Sequence, residues 1–540
     1  MTTQPDILLI LNDDMGYSDI GCFGGEVQTP NLDRLAAHGL RFSQFYNTAR
    51  CSPSRASLLT GLHPHQTGIG ILTDDYSPEG YCGNLNKQCM TMAEVLRAGG
   101  YRTYMSGKWH VANNYFSPTD TWPLQRGFDA YYGTTIGCGS FFDPTTLTRG
   151  NDNIEHEARE PGFFYTDAIN DNAVNFIRQH HAEHRDKPFF QYLAHTAPHW
   201  PLHAKDDDIA KYKGRFDAGW DALREQRLAR LVKAGILDAQ WQLSDRDPTQ
   251  RPWTEVERKE WMLRRMEVYA AQIDCMDQGI GRVLQALEEL GRLDNTLIIF
   301  LSDNGACAEN LPKDMTVEEL VDKIRIGRAY TRDGKPVRIG NQPDIMPGPE
   351  DTYQSYGTGW ANLSNTPFRM YKHWVHEGGI STPLIFHWPK GIGAKGEIRH
   401  VPGYLPDIMA TVLEVTGVRY PTRFNGQPIL PVEGHSLVQA FEREVESRPP
   451  MFWEHEGNSA VRIGRWKLVR KHPGPWELYD MVADRTEMHD LASTHPDRVQ
   501  DMATQYAAWA KRCGVIPRDD VVAAMLRVND HAMDQFWERE

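Results

Sequence analysis

Asp6-Ile7-Leu8-Leu9-Ile10-Leu11 is an unbroken apolar run behind one acidic residue, and it ends in Asn12-Asp13-Asp14-Met15-Gly16. A short continuous run of this kind predicts a strand buried on both faces, as in a parallel sheet covered by helices. A second run, Asn295-Thr296-Leu297-Ile298-Ile299-Phe300-Leu301-Ser302, ends in Asp303-Asn304-Gly305. Open α/β sheets gather functional groups at the carboxyl ends of their strands. Side by side, these two ends would bring Asp13, Asp14, Asp303 and Asn304 to one point. Three carboxylates and an amide oxygen are hard ligands that suit Ca2+ or Mg2+. Without a cation their mutual repulsion would raise their pKa values and cost stability. Either pair alone also reads as ordinary turn residues.

Outward from these runs, strands are predicted at Tyr101–Ser106, Phe189–Ala194 and Pro383–Trp388. Helices are predicted after Cys51 and at Met92–Ala98, Tyr165–His180, Glu255–Leu290 and Pro406–Thr416. Alternating strands and helices imply an α/β fold, a large mixed, mostly parallel sheet between helices. From about residue 450 the pattern changes. Ser459–Ile463 and Trp466–Arg470 flank Gly464-Arg465 as a hairpin, Trp476–Asp480 adds a strand, and a helix follows at Pro496–Arg512. The expected organisation is a catalytic domain over 1–445 and a small antiparallel α+β domain over 446–540. Residues 204–254 and 308–360 read as insertions that shape a pocket, because loops this long are usually functional. The apolar helical run Val521–Val528 must pack on something, and a homo-oligomer is one expectation.

The chain has 540 residues and a net charge of −14, which argues against general nucleic-acid binding. A few Lys and Arg in a cleft can still attract an anion. No apolar run reaches the ~20 residues that span a bilayer. Met1-Thr2-Thr3-Gln4-Pro5-Asp6 carries no signal-peptide pattern. Eight Cys (22, 51, 82, 89, 138, 275, 307, 513) form no C-x-x-C pair or dense framework, so reduced thiols and a cytoplasmic location are expected.

Cys51-Ser52-Pro53-Ser54-Arg55 fits C-x-P-x-R, with Gly61 after it. Taken alone, Cys51 reads as a buried thiol near a helix start. Pro53 suits a first helical turn, a helix N-terminus favours an anion, and Arg55 would lie close to Cys51. Arg55 otherwise reads as a salt-bridge partner of a nearby carboxylate. Gly107-Lys108-Trp109-His110 follows a strand, and in a strand-like continuation Lys108 and His110 would share a face. His195, His199 and His203 recur every four residues, but Pro198 and Pro201 exclude a helical zinc face. Asn365-Thr366-Pro367-Phe368-Arg369-Met370-Tyr371-Lys372 and His376-Glu377-Gly378-Gly379 precede the strand at Pro383.

Together these elements resemble the type I sulfatases of the alkaline phosphatase superfamily, above all the cytoplasmic bacterial arylsulfatases. The resemblance runs from the first residues to about 390 and continues into the C-terminal domain. It implies that Cys51 is oxidised to formylglycine by a formylglycine-generating enzyme. It also implies that Asp13, Asp14, Asp303, Asn304 and an oxygen of the modified Cys51 bind one Ca2+. Arg55, Lys108 and Lys372 would then hold a small-molecule sulfate ester. His199, with Lys372, would protonate the leaving oxygen, Asp303 is a candidate base for the attacking hydroxyl, and His110 would take the remaining hydroxyl proton. His195 and His203 are assigned structural or rim places. Arg369, His373 and His376 are read as lying behind the substrate-holding residues or on the surface. The expected activity is hydrolysis of sulfate monoesters, aryl sulfates first. The alternatives are a phosphonate monoester or phosphodiester hydrolase using the same modified Cys, and a catalytically inactive binding protein of the same fold.

Overall fold

The computed structural model describes residues 4–323 and 326–528. Its centre is an eleven-stranded mixed sheet. In spatial order the strands are Glu397–Arg399, Leu40–Tyr46, Ser381–His387, Thr296–Ser302, Asp6–Asn12, Phe189–Ala194, Arg102–Gly107, Ala130–Thr134, Leu147–Arg149 and Asp152–Asn153, with Gly403–Tyr404 beside Leu40–Tyr46. The four strands from Thr296–Ser302 to Arg102–Gly107 are mutually parallel, whereas Ser381–His387 is antiparallel to both neighbours. The two apolar runs are adjacent and in register, Ile7 opposite Leu297 and Asn12 opposite Ser302. Asp13 and Asp303 therefore leave the same edge of the sheet together.

All seven residues of each run are buried because helices cover both faces. Leu8 and Ile10 face the core built with Lys259–Glu289 and Tyr165–Glu183, while Ile7, Leu9 and Leu11 face Cys51–Thr60 and Leu405–Thr416. The helix expected from Glu255 starts at Lys259 instead. Trp253–Glu255 form a tight turn, and the Trp253 ring packs against Trp220 and Trp360.

Met451–His455, Asn458–Ile463, Trp466–Arg470 and Glu477–Asp480 form a four-stranded antiparallel sheet covered by the helix Pro496–Cys513. This small sheet is tied to the large one by a buried charge network. Lys467 Nζ lies 2.9 Å from Glu377 and 2.7 Å from Glu487, and Arg485 Nε lies 3.0 Å from Glu377. All four side chains are fully buried. Arg485 also donates to Ser43 O and Ser381 Oγ.

The run at 521–528 has a partner in its own chain. In the helix Arg518–Val528, Val521, Ala524 and Met525 pack on Ile71, Tyr76 and Tyr81. The expectation that this run packs on something is met within its own chain. Residues 529–540, assigned from sequence to the C-terminal domain, lie outside the described residues, as do residues 1–3 of the N-terminal stretch.

Candidate active site

The carboxyl ends of the central strands converge on one buried cluster. Asp13 N donates to Ala197 O, Asp303 N to Asn12 O and Lys372 N to Ala306 O, so four loops are laced together by backbone. Asp14 N donates to Asp303 Oδ1 at 3.2 Å, and Asn304 Nδ2 donates to Asp14 Oδ1 at 2.7 Å. Asp14 has a φ of 66°, a left-handed conformation that costs energy for a non-glycine residue and tends to mark functional sites.

Three cations interleave with the three carboxylates. Lys108 Nζ lies 2.5 Å from Asp13 and Lys372 Nζ 2.9 Å from Asp14. Arg55 Nη2 lies 2.9 Å from Asp303 and 3.5 Å from Asp13. Arg55 thus makes salt bridges within the same cluster that holds Lys108 and Lys372. Burial raises the pKa of Asp13, but Lys108 and Arg55 outweigh it and hold the carboxyl well below its usual range. Burial and the adjacent Asp13 charge push Asp303 the other way, upward.

Charge balance alone therefore does not demand a metal. The hydrogen bonding supplies the test. Asp13 Oδ1 and Asn304 Oδ1 are buried and accept no hydrogen bond. Leaving such acceptors unmade costs about 1–3 kcal/mol each, which a divalent cation would relieve. Asp13, Asp14 and His199 also present ligand atoms within 4.8 Å of one another. The oxygen-rich donor set fits a hard cation.

Cys51 is the first residue of the helix Cys51–Thr60, two positions earlier than the proline suggests, and is 3% exposed. Its Sγ lies 3.5 Å from His110 Nδ1. His110 does not reach it by continuing the strand. The chain leaves the sheet at Gly107 (φ 114°), where a Cβ would sit 1.8 Å from Ala194 O, and His110 itself has φ 52°. That turn sends Lys108 to Asp13 and His110 to Cys51. Burial, then Lys108 and Arg55, lower the His110 pKa strongly, so the ring is a neutral base.

His199 Nε2 lies 3.3 Å from Lys372 Nζ and 3.3 Å from Asp14, while Nδ1 lies 2.6 Å from Trp200 O. The carbonyl fixes the hydrogen on Nδ1, leaving Nε2 to accept from the lysine. Burial lowers the His199 pKa. Burial also opposes the Lys372 charge, but Asp14 outweighs it and the pKa rises.

The other candidate histidines make contacts of their own. His195 Nε2 bonds Asn170, and His203 Nε2 bonds Thr352 O. His373 and His376 are buried rather than on the surface. His373 packs edge-on to His455. Arg369 and His376 both approach Glu477 of the small sheet.

A cleft of about 670 Å3 opens onto Cys51, His110, His199 and Lys372. Its lining includes residues that sequence reasoning missed. Glu309 Oε1 accepts from Arg50 at 2.6 Å and Oε2 from Trp200 Nε1 at 2.9 Å, with Lys372 Nζ 3.9 Å away. Burial raises the Glu309 pKa, yet Lys372 and Arg50 override it and hold the carboxylate charged. Adjacency of Arg50 to Cys51 is the one signal that could have flagged this pair. Of the two insertions, 308–360 reaches the cleft through Glu309 and Ile326. Segment 204–254 does not line it, because Tyr212, Phe216, Trp220 and Leu231 turn into the main core. Among the described residues no helix is long and apolar enough to cross a membrane.

The model of the sulfatase family matches residues 5–418, and that of the N-sulphoglucosamine sulphohydrolase C-terminal region matches residues 368–508. An uncharacterised sulfatase of Schizosaccharomyces pombe is 32% identical, covering 96% of both chains. The arylsulfatase of Klebsiella aerogenes is 33% identical over 82% of this chain and 94% of its own. Among solved structures, Ps i-CgsB in complex with k-i-k-neocarrahexaose superposes with a TM-score of 0.65 at 25% identity, covering 94% of this chain and 93% of that one. The chain belongs to the sulfatase family, the type I sulfatases of alkaline-phosphatase-like fold, which are sulfuric ester hydrolases.

Proposed function

We propose that the chain hydrolyses sulfate monoesters of aryl alcohols, using a formylglycine made from Cys51 and one Ca2+ held by Asp13, Asp14, Asp303, Asn304 and an oxygen of the modified residue. The observation that carries this reading is the pair of buried, hydrogen-free oxygens, Asp13 Oδ1 and Asn304 Oδ1, in a charge cluster beside Cys51. When bound, the cation supplies positive charge to sulfate oxygens and acidifies a bound hydroxyl. A formylglycine hydrate supplies one hydroxyl to attack sulfur and a second whose deprotonation releases sulfate.

The chain's own groups do the rest. Lys108, Arg55 and Lys372 present fixed positive charge to the sulfuryl oxygens, with no reorganisation needed as charge develops. His110, neutral and 3.5 Å from the residue-51 side chain, takes a proton from it. The leaving oxygen receives its proton from the Lys372–His199 pair, whose N–H donor in the neutral-ring state is the lysine. Asp303, whose carboxyl is pushed upward by burial, is assigned the proton of the attacking hydroxyl. Cys51 is nearly inaccessible in the folded chain, so the formylglycine-generating enzyme must act before the sheet closes. All eight thiols are free, which supports a reducing, cytoplasmic compartment.

The deciding experiment is initial rates on an aryl sulfate, an alkyl sulfate and a phosphonate monoester in calcium-replete buffer, with peptide mass analysis of residue 51. Fastest turnover of the aryl sulfate by protein carrying formylglycine is expected. A faster phosphonate reaction, or full activity with intact Cys51, overturns the reading, and Cys51→Ala should lose at least ~10³-fold in kcat.

A further inference from the structure

The cleft has a floor and a mouth of different electrical character. On the floor, Arg50 is bound to Glu309 and Lys372 to Asp14, so each cation already has its carboxylate. At the mouth, the segment after Ile71 brings the exposed carboxylate of Asp74 onto the lining. Asp74 accepts a hydrogen bond from the Tyr76 hydroxyl at 2.9 Å. The lining run Asn113, Asn114, Tyr115 and Phe116 is uncharged, and Phe116 is 52% exposed. The Thr73 and Tyr115 hydroxyls bond each other across the mouth and hold the two walls together. A sulfate ester that seats its sulfuryl group on the floor therefore leaves the rest of the molecule in a cleft whose lining carries Asp74 as its exposed carboxylate.

We infer that Asp74 selects leaving groups by charge. The cleft accepts sulfate esters whose leaving group is neutral or cationic and disfavours those with a second anionic group, such as the neighbouring sulfates or carboxylates of acidic glycans. This rests on the sulfate-ester reading above. It adds a specificity residue outside the catalytic cluster, and it makes charge, not only aromatic shape, the filter. A unit charge ~8 Å from a second anion at a partly solvated mouth changes relative rates about fivefold, an effect that salt screens over about 10 Å at 0.1 M.

The test uses the full chain with formylglycine and calcium in place. It compares kcat/KM for 4-nitrophenyl sulfate with that for a nitrophenyl sulfate bearing a ring carboxylate, and glucosamine 6-sulfate with the 2-N,6-O-disulfate. Asp74→Asn should raise the dianion-to-monoanion ratio about fivefold and Asp74→Lys tenfold or more, whatever the absolute rates do. Asp75→Asn, exposed but off the lining, should move it less. In the wild type, added salt should raise the same ratio, a readout that needs no variant to fold. An unchanged ratio in Asp74→Lys, equal effects of the Asp74→Asn and Asp75→Asn changes, or a wild type that prefers the dianionic esters overturns the inference alone. No turnover of any sulfate ester overturns the function on which it rests.

Discussion

Two of the buried charge clusters among the described residues differ in what they adjoin. The cluster between the sheets pairs Glu377 and Glu487 with Lys467 and Arg485, all fully buried, and Glu377 takes hydrogens from Lys467, Arg485 and Tyr46. The catalytic cluster also matches anions to cations, Asp13, Asp14 and Asp303 to Lys108, Lys372 and Arg55. Yet it leaves Asp13 Oδ1 and Asn304 Oδ1 without a hydrogen. Buried charge is thus not itself a mark of function. An unfilled acceptor alone is not one either, since Glu487 Oε1 has only its ion pair with Lys467; what separates the site from the strut is that its unfilled oxygens lie in a cluster whose Lys372 lines a cleft opening onto Cys51.

The largest effect that sharpens this contrast is at the open cluster. Asp13→Asn or Asp303→Asn should cost about 10⁴-fold in kcat and abolish retention of one divalent ion by elemental analysis. Burial already disfavours the Asp303 charge, so the metal-free Asp303→Asn protein should melt no lower than the metal-free wild type. Active protein without a divalent ion would break the comparison.

The closed cluster should behave in the opposite way. Lys467→Met leaves Glu377 and Glu487 short of a buried partner and should destabilise by about 3–5 kcal/mol in denaturant titration. The kcat of the protein that remains folded should stay near wild type. A large loss of kcat with unchanged stability would show that this cluster, too, serves the reaction.

Acid tests a buried neutral group outside both clusters. His203 is buried, satisfied as a neutral ring, and pushed down to about 4. Its folded pKa lies below the unfolded value near 6.5, so its contribution is intact above pH 6.5. That contribution falls as pH drops toward 4, by up to about 3 kcal/mol. His203→Gln should flatten that part of the stability–pH curve, and an unchanged slope would remove His203 from the account.

A smaller effect, visible only across substrates, concerns His199. If it relays the Lys372 proton, His199→Ala should slow esters of basic phenols about 10²-fold more than the nitrophenyl ester. Equal losses along a series of phenol pKa values would leave it a binding residue only.

Much of this was legible because the site hangs on continuous apolar runs. Ile7–Leu11 and Leu297–Leu301 announce buried strands, and their register carries Asp13 to Asp303. Cys51, Arg55 and Lys372 were legible through short fixed spacings. Lys108 and His110 were named for a geometry they do not have, since sequence does not display the positive φ at Gly107 and His110. Glu309 and Arg50 meet across 259 positions, and no local pattern encodes that. Segment 204–254 misled because polar composition hides the single apolar face that Tyr212 and Trp220 present to the core.

The helix Arg518–Val528 props the segment that carries Leu72, Thr73 and Asp74 into the cleft. This has a consequence for the order of events during synthesis. Residue 51 leaves the ribosome early, yet its surroundings need the strand Thr296–Ser302, then Lys372, then the strand Ser381–His387, and last this helix. At ~10 residues per second the interval between residues 51 and 387 is about 34 s. For that time Cys51 is chain and not yet pocket, open to an oxidising enzyme that the finished cleft would exclude. Nascent chains arrested near residue 370 should therefore be modified at residue 51 more readily than released, folded protein, as mass analysis of the two can establish.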